Sequence, residues 1–108
     1  MQKKWELPAS VVAVVKALCV DYDRRTQIIK QVSSGLVVAK CVEINSVIDH
    51  ALEKVDVGIR KTLLEDIKNG RGYRLSPIST YLAKNTYYKY KQRVICTIAE
   101  ELRLVPKK

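Results

Sequence analysis

The chain has 108 residues, with 20 lysines and arginines against 11 aspartates and glutamates, a formal net charge of +9, and 47% hydrophobic residues. A chain this short forms one domain, and its apolar fraction is too high for a disordered protein. Its longest apolar run, residues 11–15, is far below the roughly 18 residues that a membrane span needs. We therefore expect a cytoplasmic protein with neither a membrane span nor a secretory signal.

The first predicted element is one long helix between Pro8 and Gly35. Pro8 suits a helix N-terminus, and Gly35 suits a left-handed position just after a helix. Apolar residues recur with the three- and four-residue spacing of a single helical stripe, at Val12, Val15, Cys19, Tyr22, Ile29 and Val32. A helix of about 24 residues is long for a chain of this size, so we expect it to pack along a partner helix within the chain or across a dimer.

The second and third predicted helices span residues 37–55 and 59–68. The second has its own apolar stripe, at Val38, Cys41, Ile48, Leu52 and Val55. Asn45 lies on that stripe, which places it either in a buried polar contact that fixes the register or at the edge of the helix. Asp56 is a candidate N-cap for the third helix, which should end at the glycines of residues 70 and 72.

The remaining elements are a short helix and a longer one. Ser76 and Pro77 predict the start of a helix of two turns, with serine as the cap and proline as the first helical residue. The last helix should span residues 85–104, with its apolar stripe at Tyr87, Tyr90, Val94, Ile98 and Leu102. No stretch alternates with a period of two, so the predicted fold class is all-α, a small domain of four to five helices.

The cysteines predict neither a metal site nor a disulfide. Cys19, Cys41 and Cys96 are widely spaced, and the single His50 has no neighbouring cysteine or histidine, whereas a zinc site needs about four ligands. Each cysteine lies at an apolar position of its helix. We therefore expect three buried free thiols in a reducing compartment and no cofactor.

No catalytic motif is present. The close carboxylate pairs Asp49/Glu53 and Glu65/Asp66 lie on predicted helices near lysines, which indicates surface ion pairing. The sequence contains no phosphate-binding loop, dinucleotide fingerprint or nucleophile elbow. We therefore predict that the protein is not an enzyme.

The positive charge is concentrated in the last third of the chain. Residues 1–35 have a net charge of +3, residues 36–69 of −1, and residues 70–108 of +7. Such a segment attracts polyanions, although a solvated basic face that keeps the protein soluble is the simpler alternative. The expected organisation is a single domain, residues 1–108, with residues 1–69 as a helical body and dimerisation region and residues 70–108 as a basic region.

Within that basic region, residues 82–93 interleave four cations with three tyrosines. If Tyr87 and Tyr90 face the core with Val94, then the opposite, exposed side of the helix carries Asn85, Tyr88, Lys89 and Gln92. Asparagine and glutamine can pair with an adenine edge, lysine can reach guanine, and cations can hold phosphates. The simpler alternative is a solvated basic helix whose tyrosines pack in the core and at its rim.

The sequence of residues 82–102, LAKNTYYKYKQRVICTIAEEL, resembles the C-terminus of the ArpU/RinA group of phage late-gene transcription activators. The positions that match the pattern of that group are Thr86, Lys89, Lys91, Arg93, Ala99, Glu100 and Leu102. The pattern is also similar to the helix-turn-helix of sigma factor region four, in which a threonine near the start of the recognition helix lies against the DNA backbone. Ala83 departs from the group, which usually has a serine N-cap there.

The resemblance, which covers the C-terminal third only, implies a helix-turn-helix-like region in residues 70–108 of a phage or prophage DNA-binding transcriptional regulator. Its partners would be double-stranded DNA, a second copy of the chain and RNA polymerase. The candidate DNA-binding residues are Lys84, Asn85, Thr86, Tyr88, Lys89, Gln92 and Arg93. Two alternatives stay open: a helical phage packaging or assembly component similar to a small terminase subunit, and a protein-binding module that engages a host factor.

Overall fold

The computed structural model describes residues 7–32 and 35–106, which form α-helices joined by turns and short 3₁₀ helices. The α-helices are α1 Ala9–Val20, α2 Tyr22–Gln31, α3 Leu36–Leu52, α4 Arg60–Asn69 and α5 Lys84–Glu101. The 3₁₀ helices are Val57–Ile59, Tyr73–Leu75 and Pro77–Thr80. Among these residues there is no strand, so the predicted all-α class with four to five helices is confirmed.

The core lies where α1, α3, α4 and α5 meet. Each of these helices contributes a side chain with no exposed surface: Val15, Ile48, Leu63 and Ile98 respectively. α1 packs against α4 and α5, and α3 packs against α2 and α5. Because α1 and α3 cover one side of α5, its other side faces solvent.

The single long helix predicted between Pro8 and Gly35 is wrong, because the chain turns at Asp21 and forms two helices, α1 and α2. In a continuous helix the carbonyl of Leu18 accepts a hydrogen bond from the backbone four residues later. Here that carbonyl accepts a hydrogen bond from the guanidinium of Arg25, which is only 3% exposed. The turn lets α2 fold onto α3, and it leaves Val32, predicted on the apolar stripe, exposed.

Asn45 of α3 is buried and makes polar contacts, which is the first of the two alternatives that the sequence left open. Its Oδ1 accepts from Arg25 Nε at 2.6 Å. Its Nδ2 donates to the Tyr22 carbonyl at 3.3 Å and to Thr26 Oγ1 at 3.2 Å. The amide therefore joins α3 to α2 through three hydrogen bonds.

α4 ends as predicted and begins differently. Gly70 has φ +65°, the left-handed conformation that glycine adopts without strain at a helix C-terminus. At the other end, Asp56 precedes the 3₁₀ helix Val57–Ile59, and its side chain makes no capping hydrogen bond. The predicted aspartate cap is therefore wrong; the backbone carbonyl of Asp56 accepts from the Ile59 N–H instead, at 3.1 Å.

The two-turn helix predicted after Ser76 is shorter, a single 3₁₀ turn over Pro77–Thr80. The predicted cap is present, since Ser76 Oγ accepts from the Ile78 N–H at 3.1 Å. The side chains of Ser79 and Thr80 donate to the carbonyls three residues earlier, at 2.8 and 2.9 Å. Such local side-chain bonds compete with a continuing helix, which explains the early end of this element.

Two of the three cysteines, Cys19 and Cys41, are buried free thiols, as predicted. Cys19 and Cys41 lie inside the fold, whereas Cys96 is half-buried. Cys96 follows the exposed Arg93 by three residues, so both lie on the same side of α5. The prediction that all three are buried is therefore wrong for Cys96.

Raising the pH from about 8 to about 10 should destabilise the fold through Cys19. Burial raises the pKa of this thiol from 9.0 to about 11, although Arg25 and Lys68 act in the opposite direction. Between those two pKa values the unfolded chain loses the proton and the folded chain keeps it, so stability falls as the pH rises. The denaturant midpoint should fall less with pH in a Cys19→Ala variant, and an equal fall would contradict this assignment.

Candidate nucleic-acid interface

α5 has a buried side and an exposed side, as its sequence predicts. Tyr87 and Val94 have no exposed surface. On the opposite side, Asn85, Lys89 and Arg93 are exposed and follow one another at four-residue intervals. These three residues, which we call the reading line, extend over about 12 Å of helix, similar to the width of the DNA major groove.

The buried side of α5 is held to α4 by Asp66. This carboxylate is fully buried and accepts from the Tyr87 hydroxyl at 2.9 Å and from Arg71 Nε at 2.7 Å. Burial and the bond to Asp66 raise the pKa of Tyr87. The prediction that Asp66 is a surface ion-pairing residue is therefore wrong, whereas its neighbour Glu65 does pair with Lys68, at 3.2 Å.

The candidate DNA-binding residues differ in their exposure. Lys84, Asn85, Lys89 and Arg93 are exposed, Thr86 and Gln92 are half-buried, and Tyr88 is 39% exposed. The structure therefore brings the reading line and Lys84 to the surface of one helix. The placement of Gln92 on the exposed side is wrong, because Gln92 is half-buried.

Tyr88 is tied to the segment before α5. Its hydroxyl accepts from the backbone N–H of Tyr73 at 3.3 Å, and its ring meets the ring of Tyr87 edge-on, with 5.1 Å between centroids. Successive residues of a helix are rotated by about 100°, so a residue next to the buried Tyr87 lies at the edge of the buried side. Tyr88 consequently faces the 3₁₀ helix Tyr73–Leu75 and not the centre of the exposed side.

The surroundings of the reading line are positively charged. Residues 70–99 contain six lysines and arginines and no aspartate or glutamate. Within residues 7–32 and 35–106, no carboxylate forms an ion pair with Arg74, Lys84, Lys89 or Arg93. Arg74 was not among the predicted residues, although its place in the acid-free segment was the signal that could have identified it.

Lys91 makes contacts within the fold. Its Nζ donates to the Arg71 carbonyl at 2.9 Å and lies 5.7 Å from the centroid of the Tyr87 ring. Burial lowers the pKa of Lys91. This lysine thus fastens α5 to the turn after α4.

The N-terminus of α5 has no side-chain cap. Ala83 occupies the capping position and makes no side-chain hydrogen bond. The first backbone N–H groups of α5 are therefore not capped by that residue, and an uncapped helix N-terminus favours a nearby anion.

The described parts of the chain contain no group of three or more histidines, cysteines, aspartates or glutamates that could hold a metal ion. None of their helices is long and apolar enough to cross a membrane. No protein-family model, curated protein or solved structure matches this chain. The resemblance to the ArpU/RinA group therefore stays a prediction from the sequence.

Proposed function

We propose that this protein is a DNA-binding transcriptional regulator of the phage or prophage late-gene type, with α5 as its recognition helix. The observation that carries the proposal is the exposure of the reading line, Asn85, Lys89 and Arg93, within a thirty-residue segment that contains cations and no acid. A polyanion meets no repelling carboxylate in that segment.

Each exposed residue has a role that its chemistry allows. Asn85 can make two hydrogen bonds to an adenine edge, and Lys89 can reach the acceptors of guanine. Arg93, Lys84 and Arg74 are suited to backbone phosphates, which fix the position of a protein on the duplex without selecting its sequence.

A homodimer follows from the small size of the recognition element. One exposed side of a single helix contacts few base pairs, and a two-fold dimer doubles those contacts on a palindromic site. The helical body, residues 1–69, would supply the dimer interface, and RNA polymerase would be a further partner of an activator.

Replacing Asn85 or Lys89 by alanine should lower affinity for the preferred DNA fragment by about 1–3 kcal/mol, with a much smaller effect on bulk DNA. Both side chains are exposed, so the melting temperature should stay close to that of the original protein. Arg93→Ala should weaken binding to all DNA sequences. It should also reduce, by about 1, the steepness with which the logarithm of the affinity falls with the logarithm of the salt concentration. The measurement is a titration of a fragment selected from genomic DNA, and of random fragments, at several salt concentrations.

Lys54→Ala is the matched control, because it removes one exposed lysine far from α5 in the sequence. It should leave fragment preference unchanged. If Asn85→Ala and Lys89→Ala fold normally and bind every fragment as before, α5 is not the recognition helix.

A second candidate function is a protein-binding module that engages a host factor such as RNA polymerase. It is favoured by Leu75 and Tyr81, which are 76% and 62% exposed in the segment before α5. Exposed apolar side chains mark protein contacts where they form one contiguous patch. Undetectable DNA affinity at physiological salt would favour this candidate, whereas a ring-shaped oligomer without sequence preference would favour a packaging component.

A further inference from the structure

The turn that follows α4, residues 70–72, is flanked by two lysines from distant parts of the chain. A Cβ atom built on Gly70 would lie 2.9 Å from Lys16 Nζ, so the ammonium group of this α1 residue lies against the turn. On α5, Lys91 Nζ is 2.9 Å from the carbonyl of Arg71. Two ammonium groups, about 75 residues apart in sequence, thus meet at one short turn.

The charges of these two lysines are not neutralised. Asp66, the carboxylate beside the turn, already accepts from Arg71 and Tyr87. In the part of the chain that the structure describes, neither Lys16 nor Lys91 forms an ion pair. Burial lowers the pKa of Lys91, and the positive charge of Lys16 lowers it further, whereas Tyr88 and Asp66 act in the opposite direction. An anion placed between the two lysines would relieve their repulsion.

Lys16 makes no hydrogen bond to a carbonyl of α4, and two of the last carbonyls of this helix accept from backbone N–H groups: Ile67 from Gly70 at 3.3 Å, and Asp66 from Arg71 at 2.9 Å. The backbone N–H of Gly72 donates to no acceptor among residues 7–32 and 35–106. Because residues 70 and 72 have no side chains, the Lys16 ammonium group and the Tyr88 hydroxyl can approach the backbone of the turn.

We propose that Lys16, Lys91 and the turn formed by residues 70–72 bind a phosphate group. This inference rests on the proposed function for the source of that phosphate, the backbone of bound DNA. The site lies on the side of α5 that faces the helical body, away from the reading line, and it adds a contact from α1. Lys16 is the residue that this site adds to the interface, because it is exposed and belongs to none of the basic elements near the C-terminus.

The test compares Lys16→Gln with Lys61→Gln in the full chain. Lys61 is also exposed and lies on α4, but at the opposite end of that helix from Gly70. DNA affinity is measured against salt concentration for both variants. Lys16→Gln should reduce the log–log salt slope by about 1, the loss of one phosphate contact, and Lys61→Gln should leave the slope unchanged.

A second measurement does not depend on DNA binding. Inorganic tripolyphosphate, at matched ionic strength, should shift the backbone amide resonances of Gly70 and Gly72 in the original protein and in Lys61→Gln. It should shift them much less in Lys16→Gln. Thermal unfolding of both variants checks that the fold is kept.

The outcomes separate the site from the proposed function. If DNA binding persists while Lys16→Gln keeps the full salt slope and tripolyphosphate leaves both glycine amides in place, the phosphate site is wrong and the regulator proposal stands. If the protein binds no DNA and tripolyphosphate still shifts Gly70 and Gly72 through Lys16, the phosphate site is supported and the regulator proposal fails. Equal effects of Lys16→Gln and Lys61→Gln would indicate attraction by net charge alone and would also overturn the site.

Discussion

Replacing Asp66 by alanine should lower the free energy of unfolding by about 1–3 kcal/mol, because the buried Tyr87 hydroxyl loses its main acceptor, whereas Arg71, whose side chain is 33% exposed, can be hydrated. Asp66 is fully buried and accepts from Arg71 Nε at 2.7 Å and from the Tyr87 hydroxyl at 2.9 Å. Without the carboxylate, the guanidinium of Arg71 loses its ion pair, and the hydroxyl of Tyr87 keeps only a longer bond, 3.3 Å, to the Arg71 carbonyl. Urea unfolding followed by circular dichroism measures the loss.

Glu65→Ala is the matched control, since it removes the neighbouring carboxylate, which forms a partly exposed pair with Lys68. Its expected cost is below about 1 kcal/mol. Asp66→Asn should fall between the two variants, because it keeps the shape and one acceptor while removing the charge. If Asp66→Ala costs no more than Glu65→Ala, Asp66 does not fasten α5 to α4.

Replacing Arg25 by methionine should cost about 2–4 kcal/mol, because it leaves buried acceptors unpaired. Methionine fills much of the volume of the arginine stem, so the loss reports mainly on the guanidinium. The carbonyl of Leu18 and Oδ1 of Asn45 would both lose their donor. Chemical unfolding measured under the same conditions as for Asp66→Ala tests this result.

Arg24→Met provides the comparison for Arg25→Met. Arg24 is the preceding residue and pairs with Asp21 on the surface, so its loss should cost much less than the loss of Arg25. In a double-mutant cycle, Arg25→Met and Asn45→Ala should cost less together than the sum of their separate costs, because they share one hydrogen bond. Strict additivity would show that the contact between α2 and α3 does not depend on this pair.

The core positions of α3, α4 and α5 could be predicted from apolar spacing, but the turn at Asp21 could not. Ile48, Leu63 and Val94 were placed correctly because a 3.6-residue period determines which residues share a helix face. The apolar pattern of the first 32 residues continues across Asp21, since both α1 and α2 have apolar sides that pack on the same molecule. At the turn Arg25 is buried, whereas arginine is usually exposed, so the residue type gave no sign of the turn.

The candidate site was predictable to the extent that it depends on one helix. The exposure of Asn85, Lys89 and Arg93 follows from their distance around the helix from Tyr87. The contacts of Asp66 and Lys16 with the turn after α4 could not be predicted, because they join residues that are far apart in sequence. Spacing within one segment contains no information about such contacts.

The separation of the two sides of α5 has a consequence for how this protein can change. Because the reading line lies outside the core, substitutions at Asn85, Lys89 and Arg93 alter the chemistry offered to a ligand while Tyr87 and Val94 keep the helix in place. Under the proposed function, recognition and foldability are thus encoded by different residues of the same helix. A library randomised at the three reading-line positions should consist largely of folded proteins, so new target preferences can be selected without compensating mutations elsewhere.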